Sequence, residues 1–136
     1  DNYIKITGSG NEMIISSGGE NIAPVPIENL LLNYDEIEQV LIFGHNKPFL
    51  TAIIVPNDTL IHDTQNIFEY NSLFQDIVNE ANKRLSQSKK IRKFLLTDQS
   101  FNIENGQLTP TLKMKRRVIA TEYKLRLESL YKKSFF

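Results

Sequence analysis

Two runs rich in β-branched residues, 37–43 and 50–55, are separated only by residues 44–48, which open on Gly44 and close on Pro48. That spacing predicts an antiparallel hairpin. Helical signals flank it. Pro24 and Pro26 suit a first helical turn, where a missing N–H costs little. Ile27, Leu30 and Leu31 then supply an i, i+3, i+4 stripe. Residues 56–71 read as polar and irregular. Ser72 and Gln75 match a capping box ahead of Leu73, Phe74, Ile77, Val78, Ala81 and Leu85, an amphipathic helix of about four turns. Residues 91–97 predict a third strand, and Asn105-Gly106 a turn. Ile119, Tyr123, Leu127, Leu130 and Tyr131 share one side of a closing helix. Near the start, residues 3–7 and 13–16 read as short strands with Gly8-Ser9-Gly10-Asn11 between them. The fold class is α+β: a small, few-stranded, mainly antiparallel sheet with about three helices, preceded by a short β-hairpin.

Composition narrows the possible functions. A chain of 136 residues, 40% hydrophobic and 24% charged, fits one globular domain. No apolar run approaches the ~18–20 residues of a membrane helix, and no secretion signal is visible in DNYIKITGSG. With no cysteine there is no disulfide, thiolate metal site or cysteine nucleophile. An intracellular setting is expected, in the cytoplasm or peripheral on a membrane.

The zero net charge hides a split. Residues 1–80 carry two basic against twelve acidic side chains, and residues 81–136 carry fourteen against four. A +10 half suggests phosphates, nucleic acid or an acidic surface; the plainer reading is that the halves fold together and neutralise each other. Few aromatics interleave the cations, so nucleic-acid binding is not expected.

Common chemical motifs are missing. His45 and His62 lie far apart with no supporting ligand pattern, so no metal site is expected. No GxxxxGK[ST] loop is present, and Gly8-Ser9-Gly10 lacks the third glycine of a dinucleotide fingerprint. Two stretches stand out. SSGGENIAPVPIE (16–28) pairs glycines, which permit close backbone approach, with a stiff proline segment; a plain turn is the simpler reading of the glycines alone. NGQLTPTLKMKRR (105–117) holds a proline and hydroxyls before four cations in five residues. That could be a solvated face, an anion-attracting patch, or a loop that delivers one ammonium to a neighbouring site.

Together these two stretches resemble the C-terminal domain of AMP-forming acyl-CoA synthetases, of the adenylate-forming superfamily. The likeness is to long-chain fatty acyl-CoA ligases of the bubblegum type. It extends from DNYIKITG through NKRLSQSKKIRKFLL to the last helix. The resemblance implies that residues 1–10 end an N-terminal domain and form the hinge segment, so that the short hairpin lies at the hinge. Residues 11–136 would then be a mobile lid. It implies a reaction in which ATP, with magnesium, and a fatty acid give an acyl-adenylate and pyrophosphate. The lid then rotates, and coenzyme A yields the thioester and AMP. The missing N-terminal domain would hold the nucleotide and fatty acid. This domain alone would bind none of ATP, coenzyme A or magnesium, and would be inactive.

By this resemblance Lys113 matches the catalytic lysine that bridges the α-phosphate and the acyl carboxylate. Lys115, Arg116 and Arg117 match flanking positions suited to local salt bridges or a phosphate field. Gly18, Gly19 and Glu20 match the coenzyme A loop, with Gly19 lining the pantetheine tunnel. Gly10 and Asn11 match the hinge. One departure stands out: the family's Gly-Arg-x-Lys-Glu is here Gly8-Ser9-Gly10-Asn11-Glu12, so Ser9 replaces the nucleotide-contacting arginine and its five donors. Either another residue substitutes, or ATP binds less well, or the chain is a non-catalytic interaction module of a degenerate homologue.

Overall fold

The computed structural model describes residues 12–57 and 67–132, with side chains omitted for 67–69. The expected strand at 3–7, together with Ser9, Gly10, Asn11 and His62, lies outside the described residues.

The chain begins with a small antiparallel pair, β1 (Ile14–Ile15) and β2 (Asn21–Ile22), closed by the glycine loop. Thus the described partner of the 13–16 strand is the far side of its own loop. Helix α1 (Pro24–Leu32) starts with Pro24 in its first turn, as the prolines predict. Strands β3 (Ile37–Phe43) and β4 (Leu50–Pro56) form the expected antiparallel hairpin, in register from Ile37↔Pro56 to Phe43↔Thr51. Helix α2 (Ile67–Asn82) follows, then a 3-10 turn (Gln87–Lys89) and β5 (Ile91–Leu96). β5 joins β4 in parallel, because the segment carrying α2 returns the chain to the same end of the sheet. Two short helices close the described chain, α3 (Arg116–Glu122) and α4 (Lys124–Ser129).

β4 is central, with every residue buried. Its side chains must therefore be covered on both faces. On one face Ala52 and Ile54 pack with Ile27 and Leu31 of α1 and with Phe74, Ile77, Val78 and Ala81 of α2. On the other, Ile53 and Val55 pack with Phe101, Leu108, Ile119, Tyr123 and Leu127. The near-continuous apolar run of β4 is thus the signature of a strand between two layers.

Two expectations are corrected. Ser72 is not an N-cap: α2 begins at Ile67, five residues earlier. Tyr70 packs edge-on to Phe74 with ring centroids 5.8 Å apart, an i, i+4 pair that belongs inside a helix. Gln75 bonds forward to Asn79 at 2.9 Å instead of back to a cap. The closing helix is two pieces, since Tyr123 leaves helical geometry at φ −101°, ψ 14°. The buried stripe Ile119, Tyr123 and Leu127 nevertheless continues across the break.

Candidate functional site

The Lys113 loop follows from its sequence. Thr109 O accepts from Leu112 N–H at 2.8 Å, and Thr109 N–H donates to Lys113 O at 2.8 Å. Pro110 occupies the first central position, which its fixed φ suits. Leu112, at φ 65°, occupies the left-handed position usually given to glycine in a three-residue hairpin loop. The Thr109 hydroxyl accepts from Lys113 N–H at 3.0 Å and lies 3.1 Å from the Thr111 hydroxyl. Below the loop, Leu108 and Met114 form an antiparallel bridge, and Lys115 N–H donates to Gln107 O at 2.8 Å. Gly106, at φ 81°, makes the turn that brings Gln107 back.

Lys113 is exposed at the end of this braced loop, and its ammonium has no ion-pair partner among the described residues. Lys115 and Arg117 are also exposed. Arg116 is not: it enters the domain and pairs through both Nη atoms with the Glu28 carboxylate, and through Nε with Glu12 at 2.8 Å. Glu28 is 3% exposed and also accepts the Ile42 N–H at 2.9 Å. Burial alone would lower the Arg116 pKa, but Glu28 and then Glu12 outweigh it and hold the guanidinium above its ordinary value. Of the two roles open to Arg116, the salt bridge is the one observed. Motif spacing does not reveal this network. Its one trace is Glu28 on the apolar side of α1 beside Ile27 and Leu31, where a carboxylate needs a partner.

The glycine loop is built separately. Gly19 has φ 87°, and a Cβ placed on it would meet nothing within 4 Å. Ser16 closes the loop, with its N–H on Glu20 O at 2.9 Å and its hydroxyl accepting the Glu20 N–H at 3.1 Å. Ser17 N–H donates to Lys47 O at 2.9 Å, seating the loop on the β3–β4 turn. The Glu20 carboxylate accepts from the Ser88 hydroxyl at 2.5 Å. A cleft of ≈ 430 Å³ beside Lys113 is walled by Glu12, Glu28, Thr109, Leu112 and Arg116 among others, but not by Gly18, Gly19 or Glu20. The 16–28 motif therefore reaches this cleft through Val25 and Glu28, while its glycine loop does not line it. Among the described residues no cluster of three His, Asp or Glu side chains could hold a metal ion. No helix among them is long and apolar enough to cross a membrane.

The α+β domain thus presents an exposed lysine on a braced loop, with no ion-pair partner among the described residues, and a left-handed glycine on another loop. The family described as AMP-binding enzyme C-terminal domain matches residues 11–135, and the chain belongs to that family. Similar proteins include the long-chain-fatty-acid–CoA ligase FadD15 of Mycobacterium tuberculosis, 31% identical over 98% of this chain and 25% of its own length. The ligase ACSBG2 of Xenopus laevis is 32% identical over 95% of this chain and 22% of its length. The chain thus spans about a quarter or less of these relatives. In fold it is similar to the adenylation domain of a Mycobacterium chelonae carboxylate reductase, with TM-score 0.80, 24% identity and coverage of 88% of this chain and 19% of that one.

Proposed function

We propose that this chain is the mobile C-terminal lid of a long-chain fatty acid–CoA ligase, with residues 1–10 leading in from the N-terminal domain through the hinge at Gly10 and Asn11. In the adenylating pose Lys113 bridges the α-phosphate of ATP and the acyl carboxylate. Two anions must meet there, and a compact ammonium stabilises both as well as the charge that develops in transfer. In the thioester-forming pose the loop of Gly18, Gly19 and Glu20 lines the path of the coenzyme A thiol arm. The enzyme works inside the cell, in the cytoplasm or at a membrane surface.

The observation that carries this reading is the unpaired Lys113 ammonium on a loop braced by Thr109 and the Leu108–Met114 bridge. Removing one preorganised stabiliser of this kind costs about 10²–10³ in rate. Lys113→Ala in the full-length ligase is therefore expected to slow pyrophosphate release by about that factor. Thioester formation from supplied acyl-adenylate should continue, and Lys115→Ala should do much less. Equal loss in both half-reactions, or greater sensitivity at Lys115, would contradict the assignment. Ser9, in place of the family arginine, favours a second reading, a non-catalytic interaction module. Absence of acyl-adenylate formation by the unmutated full-length protein would select it.

A further inference from the structure

A lysine side chain is a flexible four-carbon stem, so the accuracy with which its ammonium is delivered depends on the backbone beneath it. The base of the Lys113 loop is the Leu108–Met114 bridge, made by Thr109 N–H to Lys113 O and Lys115 N–H to Gln107 O, both at 2.8 Å. Arg116, two residues past that bridge at the first turn of α3, supplies the next constraint. Its paired Nη contacts to Glu28 fix direction and rotation together, as a single hydrogen bond could not. Glu28 is itself held by the Ile42 N–H of β3. A line of contacts thus runs from the Lys113 loop through Arg116 to the sheet. Glu12 takes the remaining Nε–H, and Glu12, Glu28, Lys113 and Arg116 all wall the same cleft.

We propose that Arg116 is a positioning residue for adenylation: its contacts with Glu28 and Glu12 set where the Lys113 ammonium is delivered. This rests on the reading of Lys113 above and adds what aims it. Arg116 is poorly suited to bind phosphate directly. Three of its five N–H donors already serve carboxylates, and an incoming anion would meet two negative charges against one positive.

Arg116→Lys keeps the charge but loses the fork. In the full-length ligase it is expected to slow adenylation about 10- to 100-fold, the scale of a roughly 1 Å misplacement. Thioester formation from supplied acyl-adenylate should stay within about twofold, because the loop is not used there. Glu12, whose side chain is 45% exposed, provides a pair of variants that spares the buried Glu28 contact. Glu12→Gln keeps an acceptor for the Arg116 Nε–H and should retain most of the adenylation rate that Glu12→Ala loses. If Arg116→Lys slows both half-reactions equally, or neither, Arg116 is only structural and the proposal fails. It fails also if the two Glu12 variants behave alike, and that pair decides the matter should Arg116→Lys not fold. Lys113→Ala run alongside separates the causes. Adenylation indifferent to Lys113 overturns the site assignment itself, whereas a normal Lys113 defect with an indifferent Arg116 overturns only the positioning role.

Discussion

Gly19 and Leu112 share the left-handed region of backbone space, at φ 87° and 65°, yet they differ in what they tolerate. For Leu112 the conformation carries a side chain and costs on the order of 1–2 kcal/mol. That side chain is 66% exposed, so burial within this chain returns little of the cost. At Gly19 a Cβ would meet nothing within 4 Å among the described residues, so the cost it carries there is the same backbone strain. Strain and obstruction can therefore be separated by substitution. Gly19→Ala and Gly19→Leu should lower stability by similar amounts, about 1–2 kcal/mol each, by denaturant melts. In the full-length protein only the leucine should reach into the proposed thiol path. Coenzyme A consumption should then fall much further for Leu than for Ala, with pyrophosphate release nearly intact in both. Equal catalytic loss from the two variants would leave strain as the whole explanation and end the tunnel assignment.

At the scale of elements, α4 and the turn after it are fastened to the β3–β4 hairpin by one aromatic residue. Tyr131 stacks on Phe49 with centroids 4.6 Å apart, and its hydroxyl donates to Phe49 O at 2.8 Å. Lys47 lies 5.2 Å from the ring centroid and pairs with Glu128 at 2.7 Å. Burial pushes the Tyr131 phenol from 10.0 to about 12; the Thr51 hydrogen bond works against this and the Glu128 charge adds to it. A raised phenol pKa means the folded state holds its proton where the unfolded chain has released it. The stabilising contribution is therefore complete below pH 10 and fades as pH rises through about 12. Thermal melts across that window should show a steeper loss for the unmutated chain than for Tyr131→Phe, and matching slopes would refute the clamp. Periodicity in the sequence made Tyr131 legible as a core-facing residue of a last helix, but not as the hydroxyl that ties that helix to the hairpin. The same limit recurs. Periodicity located α1, β3, β4, β5 and the closing helical stripe, because burial on one or both faces writes itself into local pattern. The start of α2 was obscured because S-x-x-Q suits a cap or a helix interior, and the flanking chain decides. The lysine and glycine loops were legible as motifs. The Glu12–Arg116–Glu28 network was not, because its members lie up to 104 residues apart and meet only after folding.

For the whole molecule, the question is what a domain with its key ammonium in solvent can accomplish alone. The acidic and basic halves do meet, since Arg116 reaches both Glu12 and Glu28, but Lys113 is left facing water. An ammonium 4 Å from an anion is worth about 1 kcal/mol in water and about 4 kcal/mol at an effective dielectric near 20. Since each ~1.4 kcal/mol is a factor of ten in rate, the first gives less than a decade and the second nearly three decades. Only a second surface that covers Lys113 and excludes water can move it from the first regime to the second. The glycine loop has the same need, because among the described residues nothing lies within 4 Å of a Cβ placed on Gly19. We therefore expect the 136-residue chain, supplied with ATP, magnesium, palmitate and coenzyme A, to release no pyrophosphate and form no thioester above background. On the proposed function, the full-length protein should do both under the same conditions. Loss of folding would mimic inactivity, so the chain's far-ultraviolet circular dichroism and a cooperative melt must first establish that it is folded. A folded chain that made acyl-CoA unaided would have to supply its own walls around Lys113, and the lid assignment could not survive that result.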